Sequence, residues 1–92
     1  MDPRQKKLQY RAWHRGFREA DLILGPFADA HVASLDEAAM DEFEVLLDQP
    51  DHDLYAWIIG QADAPAAHDG AVLARIRQFR FDARLARADA DA

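Results

Sequence analysis

Arg15-Gly16-Phe17-Arg18-Glu19-Ala20-Asp21 reads RGxxExD, and places a guanidinium, a position without a side chain and two carboxylates in one short stretch. On a continuous helix Arg15 and Glu19 are i,i+4 neighbours. Residue chemistry alone favours an ordinary surface ion pair there, worth roughly a few tenths of a kcal/mol. Gly16 adds an argument from shape. A bare backbone position flanked by opposite charges lets another chain come close and be read by charged hydrogen bonds. The chemistry on offer is recognition rather than bond making.

No catalytic constellation accompanies it. Asp41, Glu42 and Glu44 could pair as acid and base, but such work needs a pocket with shifted pKa values. Their spacing reads as a solvated helix face. His14, His31, His52 and His68 are scattered, with no HExxH spacing and no cysteine beside them, so no metal site is expected. His14 reads either as a plain surface histidine or as part of a contact surface with Arg15. Phosphate-loop, GxGxxG and GxSxG patterns are missing, and Gly16 with Gly25 makes no dinucleotide loop. No catalytic, cofactor-binding or metal-binding residue is expected.

The elements that must position the stretch are helical. No run alternates with period two, and no strand pattern flanks Asp69-Gly70. Pro3 suits the first turn of a helix running to His14, with Leu8, Ala12 and Trp13 inward. Gly16 marks a junction. A second helix covers about Phe17 to Ala33, with Ala20, Ile23, Leu24, Phe27, Ala28 and His31 at the spacing of one buried face. Gly25-Pro26 inside it predicts a kink near Leu24. Ser34-Leu35-Asp36-Glu37 reads as a capping box opening a third helix that ends at Leu47, with Met40, Phe43, Leu46 and Leu47 inward. Asp48-Gln49-Pro50 ends it. Asp51 or Asp53 caps a fourth helix burying Leu54, Trp57 and Ile58, and Gly60 closes it. Residues 61–70 form a loop. A fifth helix runs from Ala71 to about Ala86 with Val72, Leu73, Ile76 and Phe79 inward, and 87–92 reads as a frayed tail. The expectation is one all-α domain over 1–92, a compact five-helix bundle.

The 92 residues carry a net charge of −6 with 50 % hydrophobic residues and no cysteine. Such a chain can fold, has no disulfide or thiolate site, and fits a reducing compartment. No apolar run reaches the roughly 20 residues of a membrane span, and the charged N-terminus lacks a signal-peptide core. A bacterial cytoplasmic location is expected. Between Glu19 and Ala74 there is no lysine or arginine, so an acidic centre lies between basic ends. That pattern reads as terminal helices folding against the centre, or as a bipolar surface orienting a charged partner. The arginines of the last helix could meet phosphates, but a pI near 5.0 opposes binding to nucleic acid.

A second stretch, Phe43-Glu44-Val45-Leu46-Leu47-Asp48-Gln49-Pro50-Asp51-His52-Asp53-Leu54-Tyr55-Ala56-Trp57-Ile58, reads FExLLDxPDxDLYxWI. With RGxxExD before it, in this order and from about Tyr10 to Phe81, the chain resembles the SdhE-type succinate dehydrogenase assembly factors. The resemblance implies a five-helix bundle without enzymatic activity. It implies binding to the flavoprotein subunit of succinate dehydrogenase, and also of fumarate reductase, to promote covalent attachment of FAD there. No cofactor would be held stably, and the complex would be transient, with no membrane insertion. The contact residues carried over are Arg15, Gly16 and Glu19, with Asp21 as a weaker addition. Asp53 and Tyr55 read either as plain surface or as part of the same contact face. Ala20 departs from the family's larger apolar residue, which weakens packing or apolar anchoring at that point, with Phe17 beside it to compensate. Two other readings stand beside this one: an antitoxin-like regulator of a small membrane protein, and a small nucleic-acid-binding domain.

Overall fold

The computed structural model describes residues 1–91, with side chains through Ala86. Five α-helices follow one another: α1 (Pro3–Trp13), α2 (Arg18–His31), α3 (Glu37–Leu47), α4 (Asp51–Ile59) and α5 (Ala71–Asp91). A short 3-10 turn, Val32–Ser34, follows α2. The described residues contain no strand, and the chain is an all-α bundle as its periodicity predicts. The frayed tail expected at 87–92 lies outside the described side chains, although the backbone of α5 is helical to Asp91.

The apolar stripes meet in one core. Leu8 and Ala12 of α1, Ala20, Leu24, Phe27 and Ala28 of α2, Met40, Phe43, Leu46 and Leu47 of α3, Leu54, Trp57 and Ile58 of α4, and Val72, Leu73 and Ile76 of α5 are all buried. Val32 and Leu35 join them from the turn after α2. Ile23 and Phe79 are half-buried against this core. His31 stands between Phe27 and Phe79, with ring centroids 5.0 Å and 5.7 Å away.

The ends of the helices differ from expectation in instructive ways. Asp2 caps α1 with a reciprocal pair: Gln5 N–H donates to Asp2 at 2.8 Å, and Asp2 N–H donates to the Gln5 side chain at 2.9 Å. Ser34 does not open α3. Its hydroxyl donates to the His31 carbonyl at 2.8 Å and completes the 3-10 turn, so the cap shifts to Asp36, which accepts from Ala39 N–H at 2.8 Å. Nor do Asp51 and Asp53 cap α4. Pro50 holds that position without a side-chain bond, and both carboxylates lie in the first turn, where they complement the positive end of the helix dipole. Gly60 ends α4 in the left-handed region, with φ +84. Pro26 sits within a single α2.

The acidic residues of α3 are not simply solvated. Arg4 reaches from α1 to Asp41, and to Glu44 at 3.2 Å. Hydrogen bonds to Asp41 first, and then to Glu44, raise the Arg4 guanidinium above its ordinary pKa. Arg11 pairs with Asp48. At the N-terminal end the charge pattern is therefore self-complementary: α1 lies along the acidic edge of α3. Glu42 has a different partner. Its Oε1 accepts from Val72 N–H at 3.0 Å, so a side chain of α3 caps the start of α5. Removing it in Glu42→Ala leaves an unsatisfied donor at a half-buried helix end. A loss of about 1 kcal/mol is expected, seen as a fall in Tm of roughly 4–8 °C. An unchanged Tm would show that water replaces the cap at no cost.

Candidate partner-binding surface

Residues 14–17 link α1 to α2, and three side chains fix their path. His14 ends α1, its ring stacked on Tyr10 with centroids 4.1 Å apart and its Nδ1–H donating to the Tyr10 carbonyl at 2.8 Å. Phe17 opens α2 without a side-chain cap. Its ring meets the edges of His52 at 4.9 Å and Tyr55 at 5.4 Å. Asp21 turns back from the first turn of α2, and its carboxylate accepts from Arg15 N–H at 3.2 Å.

Arg15 does most to hold the link. Its side chain is only 8 % exposed. Nε donates to Asp51 Oδ1 at 2.9 Å, Nη2 lies 2.7 Å from the same oxygen, Nη2 also donates to the Gln49 carbonyl at 2.7 Å, and Nη1 donates to the Leu47 carbonyl. One side chain thus collects the open carbonyls at the end of α3 and a carboxylate at the start of α4. The i,i+4 pair with Glu19 does not form, because Arg15 lies before α2 begins and its charge is satisfied by Asp51. Glu19 is exposed and has no ion pair among the described residues.

Gly16 sits at the apex of this clamp with φ +86, and a Cβ added there would meet nothing within 4 Å. The left-handed backbone is the conformation glycine adopts most readily. The position is bare and open to solvent. Beside the link lies a cleft of about 220 Å³ lined by Tyr10, Arg11, His14, Arg15, Leu47 and Asp51. Asp53 stands exposed in the first turn of α4, and Tyr55 is half-buried against Phe17. The two sequence stretches therefore meet in space through Arg15–Asp51 and Phe17–Tyr55. Ala20 is fully buried, so its small size bears on packing inside the bundle and not on an outer anchor.

Sequence reasoning passed over Asp51 as the counter-ion of Arg15 and His52 as a wall of the aromatic cluster. The usable signal was that an arginine directly before a helix-breaking glycine has no helical neighbour, and must find its partner elsewhere. Among the described residues no group of three or more His, Cys, Asp or Glu is placed to hold a metal ion. No described helix is long and apolar enough to cross a membrane.

A family model described as the flavinator of succinate dehydrogenase matches residues 6–80, and so takes in both stretches and the link between them. The chain belongs to that family. Among the relatives of this flavinator-family chain, the mitochondrial succinate dehydrogenase assembly factor 2 of Dictyostelium discoideum is 39 % identical over 69 residues, covering 75 % of this chain and 49 % of the relative. The protein of the same name from Meyerozyma guilliermondii is 37 % identical over 68 residues, covering 74 % and 50 %. The FAD assembly factor SdhE of Acetobacter pasteurianus is 30 % identical over 84 residues, covering 91 % and 74 %. The chain spans about half the length of the first two relatives and about three quarters of the third. No solved structure gives a significant match.

Proposed function

We propose that this chain binds the flavoprotein subunit of succinate dehydrogenase and promotes covalent attachment of FAD to it. Membership of the flavinator family supports the activity. The single observation that carries the site is Gly16: a bare, left-handed position open to solvent, held at the apex of a clamp and beside an exposed carboxylate. Gly16, Glu19 and His14 form the contact, with Asp53 and Tyr55 at its α4 side. Arg15 and Asp21 act as positioning residues, since their polar groups are spent on holding the link. The flavin and the flavoprotein supply the bond-making chemistry, and no cofactor is held stably by the chain. The chain contributes by selecting a flavoprotein conformation in which the acceptor side chain and the flavin are aligned. The complex is transient, and the flavoprotein of fumarate reductase is a further client. A bacterial cytoplasmic setting fits the match to the Acetobacter protein, which covers more of both chains than the mitochondrial relatives do.

Covalent flavin in the flavoprotein, read by in-gel fluorescence after denaturation, tests the reading. Loss of this chain should abolish the signal, and wild type should restore it. Gly16→Arg should fail to restore it. The matched control is Gly60→Arg, because Gly60 has nearly the same φ of +84 and equally open surroundings. Both variants carry the same backbone penalty of about 1–2 kcal/mol, but only one alters the contact. Flavinylation unchanged without the chain would overturn the function. Equal rescue by the two variants would overturn the site.

A further inference from the structure

We propose that the contact with the flavoprotein extends beyond the Gly16 link, along α2 into a groove between α2 and α5 that takes an acidic, apolar-anchored segment of the partner. The inference rests on the function proposed above and adds a second subsite to it.

Glu19, Leu22 and Ile23 recur at three and four residues, so they share one face of α2 that starts at the link. Leu22 is 57 % exposed, although it is a large apolar side chain in the middle of a helix. It lines, with Ile23, Phe79, Arg80, Ala83 and Arg84, a groove of about 290 Å³ where α5 leaves the body of the bundle. Beyond the groove Phe81 is 56 % and Leu85 50 % exposed, one helical turn apart. Arg80 and Arg84 stand between the groove and this outer pair, and line both hollows.

Charge decides what fits. Arg4, Arg11, Arg15 and Arg77 all have carboxylate partners within the chain. Arg18, Arg75, Arg80 and Arg84 have none among the described residues, and of these only Arg80 and Arg84 line the groove. Two guanidiniums without a carboxylate partner among the described residues, beside an exposed apolar groove, complement a segment that brings carboxylates to the rim and an apolar side chain to the floor. An anionic membrane is a poorer occupant. A flat anionic surface meets the field of the whole chain, whose net charge of −6 opposes it, whereas a segment meets only Arg80 and Arg84 at the groove. Asp82 also follows Phe81 directly on the outer part of α5.

The double variant Leu22→Ser/Arg84→Glu tests the proposal, because both residues are exposed and the change removes no core packing. It should keep the helical dichroism and Tm of wild type. Its affinity for the flavoprotein lacking covalent FAD should fall roughly tenfold or more, and its binding should lose part of the salt dependence shown by wild type. A photo-crosslinker at position 22 should capture a carboxylate-rich segment of the flavoprotein. Wild type binding with an unimpaired double variant overturns the groove and leaves the Gly16 contact standing. No binding by wild type overturns both. Loss in the double variant only of binding to phosphatidylglycerol vesicles, or only of self-association in sedimentation, also overturns the groove and assigns it to a lipid surface or to a second copy.

Discussion

Gly25→Ala should destabilise the chain by about 1–3 kcal/mol, against the direction that helix propensity sets. Gly25 lies in the interior of α2. In an exposed helix, alanine in place of glycine gains about 1 kcal/mol. Here the new Cβ would fall 2.2, 2.5 and 2.6 Å from three atoms of the Trp13 ring. No real contact is so short, so either the ring swings away or α1 and α2 separate. Swinging the ring out breaks the bond from Trp13 Nε1 to Asp29, now 3.1 Å, and uncovers the buried helix face beneath it. The expected result is a fall in Tm of roughly 5–20 °C. A double-mutant cycle assigns the cause. In a Trp13→Ala background, Gly25→Ala should become neutral or stabilising, because only the propensity gain is left. A stabilising Gly25→Ala in the wild-type chain would show that the ring yields at no cost.

Gly25 also marks where sequence reasoning stopped. Next to Pro26 it read as a disturbance of α2, and only the packed pair shows that it is the seat of Trp13. The core was legible, because Leu24, Phe27, Phe43, Leu46, Leu54 and Ile76 sit at helical spacing and hydrophobic burial follows that spacing. Helix starts were less legible. Ser34 and Asp36 both offer a capping oxygen, and the choice fell to Asp36 once Val32–Ser34 tightened into a 3-10 turn. Spacing along the chain cannot rank such competitors, since the outcome depends on where Val32 and Leu35 must bury. The link residues were legible as a group but not in role. Gly16 reads correctly as the junction between α1 and α2. Arg15 reads as a surface charge because its partners, at Leu47, Gln49 and Asp51, are more than thirty residues away in sequence. Interactions between side chains so distant leave no local periodicity to detect.

That distance makes Arg15 the second position of large effect. Arg15→Ala removes the shared partner of two carbonyls and a carboxylate. Each carbonyl loses a charge-assisted donor, and Asp51 loses its counter-ion beside the start of α4. Asp51 is 37 % exposed and can turn to water, so the cost should lie below that of a fully buried pair, at about 2–4 kcal/mol. Tm should fall by roughly 10–20 °C. Arg15→Lys should recover only part of this. An ammonium is a single point and cannot span the geometry that a planar fork holds at Nε, Nη1 and Nη2 together. The two variants separate positioning from contact. If Arg15 acts by holding the link, flavinylation should fall with the folded fraction and recover at equal folded concentration, and Lys should rank between Arg and Ala in stability and in uncorrected flavinylation. Glu19→Gln should do the reverse, leaving Tm unchanged while lowering flavinylation, because Glu19 is exposed and unpaired within the described chain. A stable Arg15→Lys protein that no longer supports flavinylation would place the guanidinium in the contact itself, and would mean that the clamp opens when the partner binds.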